Sequence, residues 1–156
     1  MPLTVETGAV VAEADSYVTL DAYRSYGAAR GWTIGSDEAA DEANLRRAFD
    51  GINRLWTYLG EELSSDQEGA FPRDAWSGIP RKVQHAQCEL AHLIQEGLDP
   101  FATIGANTTK ETVKVGPISI GGGESLPVGR PRLVAVEGLL ASFLAAGTCQ
   151  MKVQRG

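Results

Sequence analysis

Side chains capable of metal binding or nucleophilic chemistry lie close together in one stretch of the sequence: His85, Cys88, Glu89 and His92. Imidazole and thiolate groups are ligands that Zn²⁺ prefers, and the spacing of the two histidines and the cysteine permits them to share one face of a helix. A tetrahedral site rarely comes from a single helix, and no second ligand group stands out elsewhere in the sequence. We therefore expect no metal site here and interpret the stretch as a solvated or subunit-facing surface.

Nucleophilic catalysis is the second chemistry to consider. Both histidines of the chain lie in that same stretch, which argues against a Ser–His–acid or Cys–His–acid triad. No serine stands in a nucleophile-elbow pattern, and residues 121–123 (Gly-Gly-Gly) lack the Gly-Lys-Ser/Thr ending of a P-loop. Asp66, Glu68 and Asp74 fall in one connection, where acidic side chains are usually solvated. The sequence predicts no catalytic residue, no cofactor and no enzymatic activity.

Composition and charge restrict the class of protein further. The 156 residues are 43% hydrophobic and 22% charged, which is typical of one globular domain. The net charge of −6 is unfavourable for gripping a phosphate backbone, and we interpret Trp32, Trp56 and Trp76 as core or interface anchors rather than base-stacking platforms. The two cysteines form no disulfide framework, and we find no signal peptide or membrane span, so a reduced compartment is expected.

Hydrophobic periodicity predicts four helices, over residues 20–30, 37–59, 80–96 and 131–146. Thr19 or Ser16 is the expected cap of the first helix, and Ser36 that of the second. The second and third helices should pack on each other through apolar stripes. These stripes are Leu45, Ala48, Phe49, Ile52, Leu55, Trp56 and Leu59 in the second helix, and Val83, Ala86, Leu90 and Ile94 in the third.

A period-two pattern follows the third helix. Apolar residues alternate on both sides of Gly116-Pro117, which favours a β-hairpin over residues 112–120, or else one strand kinked at Gly-Pro. The tail 148–156 also alternates and is interpreted as a strand or a free end. The fold class is therefore mainly α: one domain over residues 1–156, a four-helix bundle with a protruding β-hairpin and extended termini. The apolar residues expected at an interface are Val113, Val115, Ile118, Ile120, Met151 and Val153.

Short motifs follow one another in a definite order along the chain. They are Ala14-Asp15-Ser16-Tyr17-Val18, Ala29-Arg30-Gly31, Leu45-Arg46-Arg47-Ala48, Phe71-Pro72-Arg73, Gly78-Ile79-Pro80, Val83 with Ala86-Gln87 and Glu89-Leu90-Ala91, and Lys114-Val115-Gly116-Pro117-Ile118-Ser119. In this order they resemble the head–tail connector proteins of tailed phages, also called adaptor or head-completion proteins, over most of residues 8–145. Phe71 stands where that pattern has Trp, and the tail 149–156 has no counterpart. Related sequences also carry a DnaT-like single-stranded-DNA-binding label.

The resemblance implies a connector domain that acts as a structural virion protein. It implies a ring of about 12 copies at the head–tail junction, assembled in the host cytoplasm. The implied partners are the portal protein, a tail or stopper (tail-terminator) protein, and DNA that passes through the lumen without specific binding. An acidic ring would repel this DNA and let it slide.

Two other hypotheses remain from the sequence. The alternative function is single-stranded-DNA binding of the DnaT-like kind, with Arg130, Arg132, Lys152 and Arg155 as a local basic patch. A hydrolytic or metal-dependent activity at residues 85–92 ranks third.

Overall fold

The computed structural model describes residues 2–102, 113–115, 118–120 and 133–145. These residues are mainly helical, as predicted, and their elements follow in chain order: α1 (Leu20–Ala28), α2 (Glu38–Leu55), α3 (Arg81–Gln95), β1 (Val113–Val115), β2 (Ile118–Ile120) and α4 (Val134–Leu140). The chain divides into two compact units, one comprising Met1–Leu98 with Leu133–Gly156 and the other Asp99–Arg132. None of the described helices has both the length and the apolar character that a membrane crossing requires.

Helices α1 and α2 begin at side-chain caps. The Thr19 hydroxyl accepts a hydrogen bond from the Ala22 N–H at 3.1 Å, which confirms one of the two predicted caps. At α2 the cap is Asp37 rather than Ser36, and its carboxylate accepts from the N–H groups of Ala39 and Ala40. A carboxylate at this position satisfies two free backbone donors and also faces the positive end of the helix dipole.

Helix α2 ends earlier than predicted, because the backbone leaves it to pair with a distant segment. Trp56 is extended, with φ −130° and ψ 155°. The Leu59 N–H then donates to the Phe143 carbonyl at 2.8 Å, and the Ala145 N–H donates to the Thr57 carbonyl at 2.9 Å. The placement of Leu59 in the apolar stripe is therefore wrong, and its side chain is 46% exposed.

Helix α3 is the centre of the larger unit and packs against α1, α2 and α4. Its predicted stripe is confirmed, since Val83, Ala86, Leu90 and Ile94 are all buried. Pro80 is the residue before the helix rather than its first residue, because it retains an extended ψ of 135°.

Helix α4 has seven residues, fewer than predicted. Residues 141–143 form a turn and Leu144 pairs with Tyr58, because this segment supplies the backbone partners of the chain after α2. Residues 131, 132 and 146 of the predicted helix lie outside the described residues. The four-helix bundle and the single domain stay predictions.

Strands β1 and β2 pair antiparallel, with Val113 opposite Ile120 and Val115 opposite Ile118. Residues 116–117 and the side chains of both strands lie outside the description. The protruding hairpin and its shared apolar face therefore stay predictions, as does the tail 148–156 with Met151 and Val153.

Candidate functional site

A buried amide connects three motifs that are far apart in the sequence. The side chain of Gln87, in α3, is fully buried. Its Oε1 accepts from the Tyr17 N–H at 2.8 Å, and its Nε2 donates to the Ser16 hydroxyl and to the Leu45 carbonyl, both at 2.9 Å. Both ends of the amide are satisfied, as a buried polar group requires. This residue therefore fixes α3 to the N-terminal segment and to α2.

The neighbouring Tyr17 extends the same network to the loop after α2. Its hydroxyl donates to Asn53 Oδ1 at 2.6 Å and accepts from the Phe71 N–H at 3.2 Å. Asn53 Oδ1 also accepts from the Ala70 N–H. Burial raises the pKa of Tyr17 well above its ordinary value, so the hydroxyl keeps its proton. We call Ser16, Tyr17, Leu45, Asn53, Phe71 and Gln87 the motif scaffold.

Two arginines of the motifs hold the connecting segments. The Arg46 Nε donates to an Asp15 carboxylate oxygen at 2.6 Å. The guanidinium of Arg73 donates to the carbonyls of Leu59, Gly60 and Ala70. The motifs that carry the resemblance therefore specify the shape of the fold.

Glu6 is a structural residue that sequence reasoning missed. Its buried carboxylate accepts from the N–H groups of Gly8 and Val11, each at 2.7 Å, while its own N–H donates to the Ser16 carbonyl. The N-terminal segment, expected to be extended, thus contains a tight turn in which Val10 has φ +58°. An acid two residues before a glycine was the available signal, but it is a weak one.

A groove of about 480 Å³ lies between α1 and α3, and we call it the α1–α3 groove. The groove is open because the exposed side chains of α1 that line it are small. Basic and aromatic side chains form its rim. The lining residues are Val18, Ala22, Ser25, Tyr26, Ala29, Arg30, Arg81, Gln84, His85 and Cys88.

The rim of the α1–α3 groove carries two arginines, Arg30 and Arg81, and the Glu89 carboxylate lies beside it. The Arg30 guanidinium lies 3.3 Å from the centroid of the Tyr26 ring, and Arg30 also pairs with Glu89 at 3.5 Å. Burial lowers the pKa of His85, and the positive charges of Arg81 and Arg30 lower it further. The Glu89 carboxylate opposes this shift of the pKa, and it also accepts a hydrogen bond from the Tyr26 hydroxyl at 2.9 Å.

The sequence predicts a solvated or subunit-facing surface at the histidine–cysteine stretch, and the structure shows that this surface is not simply solvated. His85 lies against Tyr26 in the groove, with 4.7 Å between ring centroids, whereas His92 stacks on Trp32 at 4.1 Å. Cys88 is buried, and this burial raises its pKa to about 12, so its thiol is protonated at neutral pH. Helix α1 and Trp32 cover this side of α3. In the part of the chain that the structure describes, no three His, Cys, Asp or Glu side chains are grouped to hold a metal ion.

A second surface lies on the loop that follows α2. We call residues 59–68 the Leu63 loop, after its central side chain, which is 53% exposed. The loop carries four carboxylates, from Glu61, Glu62, Asp66 and Glu68. A cleft of about 410 Å³ borders it, and the ion pairs Arg46–Asp15 and Arg54–Asp50 involve residues that line this cleft.

Comparison with known families gives one result. A family model described as "Putative DnaT-like ssDNA binding protein" matches residues 1–156. The chain belongs to this family. The DnaT-like label that the sequence analysis attached to related sequences is thereby confirmed. The comparisons with curated proteins and with solved structures gave no match.

Membership of the DnaT-like family directs attention to basic and aromatic side chains. The basic patch expected from Arg130, Arg132, Lys152 and Arg155 lies outside the described residues. The α1–α3 groove is instead the place where the described chain brings arginines and aromatic rings together. Sequence reasoning missed it because α1 and α3 are far apart along the chain and no motif marks their contact.

Proposed function

We propose that this DnaT-like family member is a structural subunit of a phage virion, which forms a ring at the head–tail junction and joins the portal vertex to the tail. It is assembled in the host cytoplasm, and DNA passes through the ring without specific binding. The role is structural rather than enzymatic.

The observation that carries this proposal is the convergence of the motifs. Ser16, Leu45, Phe71 and Gln87 come from four separate motifs of the connector resemblance, yet they all belong to one hydrogen-bonded scaffold. The motifs of the resemblance therefore have a structural role in this chain, which is consistent with a structural rather than a catalytic function.

Charge supports the same role. The chain carries a net charge of −6, and a ring would multiply this charge around its lumen. An acidic wall repels the phosphate backbone, so DNA would slide through without being held.

The test of this proposal uses the full chain and a double variant of the expected interface, Val115→Asp with Ile118→Asp. Wild-type protein mixed with a portal protein should form rings visible by negative-stain electron microscopy. The variant should keep the wild-type circular dichroism spectrum but form no rings, because charges would replace apolar contacts. Normal ring formation by the variant would reject these contacts, and absence of rings from the wild type would reject the role itself.

Single-stranded-DNA binding is the second candidate, and the family description names it directly. The α1–α3 groove supports it, because arginines beside aromatic rings are typical of surfaces that bind single strands. Two features weaken it: Arg30 already pairs with Glu89 and covers the face of Tyr26. No comparison names a portal, a tail or a ring, so this candidate has the more direct family support, and the first depends on the connector resemblance of the motifs.

A salt-dependent binding assay separates the two candidates. If the groove binds single strands, micromolar affinity for an oligonucleotide at physiological salt should fall steeply as salt is added. Arg81→Gln should then weaken binding and reduce the salt dependence by about one charge. Lys82→Gln, next to it but outside the groove lining, is the matched control. Absence of binding by the wild type would reject this candidate.

A further inference from the structure

The Leu63 loop combines exposed apolar side chains with negative charge. Leu59 and Leu63 are 46% and 53% exposed, and the same loop carries the carboxylates of Glu61 and Asp66 and that of Glu62, which pairs with Arg73 at 3.5 Å. Single exposed leucines are common on protein surfaces. Two exposed leucines on one loop that also carries carboxylates offer apolar and charged groups that a partly apolar groove with a basic side chain would fit.

The backbone of this loop is held in place before any partner arrives. Arg73 donates to the carbonyls of Leu59 and Gly60. The Asp74 carboxylate accepts from the Glu61 N–H at 2.8 Å, and the Asp74 N–H donates to the Glu61 carbonyl at 3.0 Å. A fixed loop loses little conformational entropy on docking, so its contacts contribute more fully to affinity.

The α1–α3 groove has the complementary properties. The exposed Ala22 and Ser25 of α1 and Ala29 directly after it are small, which leaves a cavity of about 480 Å³ with room for a leucine side chain. Arg81 is exposed at the N-terminal end of α3 and lines the groove, whereas Arg30 is paired with Glu89. Arg81 therefore places a positive charge at the groove that is complementary to the carboxylate of Glu61 in the loop.

We propose that the Leu63 loop of one copy docks in the α1–α3 groove of a second copy of this chain, with Leu63 in the cavity and Glu61 paired with Arg81. The two surfaces belong to different elements, so the contact is heterologous and repeats from copy to copy; it closes into a ring when the rotation permits. This inference rests on the proposed ring-forming function and identifies one contact between neighbouring subunits.

A charge exchange tests the contact. Arg81→Glu and Glu61→Lys should each weaken self-association by about tenfold or more, measured by sedimentation velocity over a concentration series, because like charges would face each other. Combining the two substitutions in one chain should restore association toward the wild-type level. An equimolar mixture of the single variants should also associate, since every contact in an alternating ring then has opposite charges.

Two controls isolate the site from general effects. Lys82→Glu makes the same change of charge next to Arg81 but outside the groove lining, and it should leave association within about twofold of wild type. Leu63→Asp should abolish association, whereas Val134→Asp, at an exposed position of α4, should not. Circular dichroism confirms that each variant is folded.

The outcomes separate the contact from the function. A wild-type chain that stays monomeric at all concentrations and with portal protein would overturn both the ring and this contact. Wild-type assembly that Leu63→Asp and Arg81→Glu leave unchanged would overturn the contact alone. If Arg81→Glu abolishes binding of a single-stranded oligonucleotide but not assembly, the groove belongs to nucleic acid and the proposal is wrong.

Discussion

The motif scaffold and the α1–α3 groove differ in what their polar groups do. In the scaffold, the Gln87 amide and the Tyr17 hydroxyl are buried and satisfied by other parts of the same chain. In the groove, Arg81 is exposed and its charge acts on a cavity that the described chain leaves open. The scaffold thus shows motif residues determining the shape of the fold, whereas the groove combines motif residues such as Arg30 with residues such as Arg81 that belong to none of the motifs.

The largest effect should come from removing the centre of the scaffold. Gln87→Leu would leave the Tyr17 N–H, the Ser16 hydroxyl and the Leu45 carbonyl without their buried partner. We expect the free energy of unfolding to fall by about 3 kcal/mol, measured by urea denaturation.

Gln84→Leu is the matched control for this substitution. Gln84 makes one bond, from its Nε2 to the Tyr17 carbonyl at 3.3 Å, and it is only half-buried. Its loss should cost less than about 1 kcal/mol. Equal losses of stability from the two substitutions would show that the buried hydrogen bonds of Gln87 contribute no more to stability than the single bond of Gln84.

Substitutions at two glycines, one beside the scaffold and one in α4, should change the stability by intermediate amounts. A Cβ added at Gly69 would lie 2.5 Å from the Tyr17 hydroxyl oxygen and 2.9 Å from the Phe49 ring. Gly69→Ala should therefore destabilise the fold by about 2 kcal/mol through overpacking of the scaffold. Gly138→Ala, in α4 with open space around its Cβ position, should stabilise it by about 0.5–1 kcal/mol. Thermal unfolding of both variants measures this; a neutral Gly69→Ala would contradict the tight packing.

The last effect is confined to alkaline pH and concerns the thiol behind the groove. The folded pKa of Cys88 is raised to about 12 from 9.0, so the thiol stays protonated in the fold while the unfolded chain loses the proton. This contribution to stability is complete below pH 9 and is lost as pH rises from 9 toward 12. Stability of the wild type should decline more over that range than stability of Cys88→Ala, measured by urea denaturation at each pH. Parallel declines would contradict the burial of this thiol.

Local patterns of the sequence predicted the parts of the fold that depend on local physics. The stripe of α3 and the Thr19 cap follow from residues within a few positions of each other, and the structure agrees with both. Local patterns did not predict where α2 ends, because the hydrogen bond between Leu59 and Phe143 joins segments that are distant in the sequence.

The candidate site could not be predicted from the sequence for a similar reason. Arg30 and Arg81 meet across a groove only after α1 packs on α3. Within the histidine stretch, burial separated the roles of Cys88, His85 and His92, although helical spacing had placed them on one face. Residue spacing predicts which side chains share a face of a helix, but it does not predict which other element packs on that face.

The most direct test of the central claim is the mass of the wild-type assembly in solution, measured by mass photometry with and without portal protein. A ring subunit should form a discrete species at a fixed multiple of the chain mass of 16.6 kDa, enriched when portal is present and unaffected by single-stranded DNA. A chain that remains monomeric in both conditions, yet binds single-stranded DNA with an affinity that falls steeply with salt, would contradict the claim.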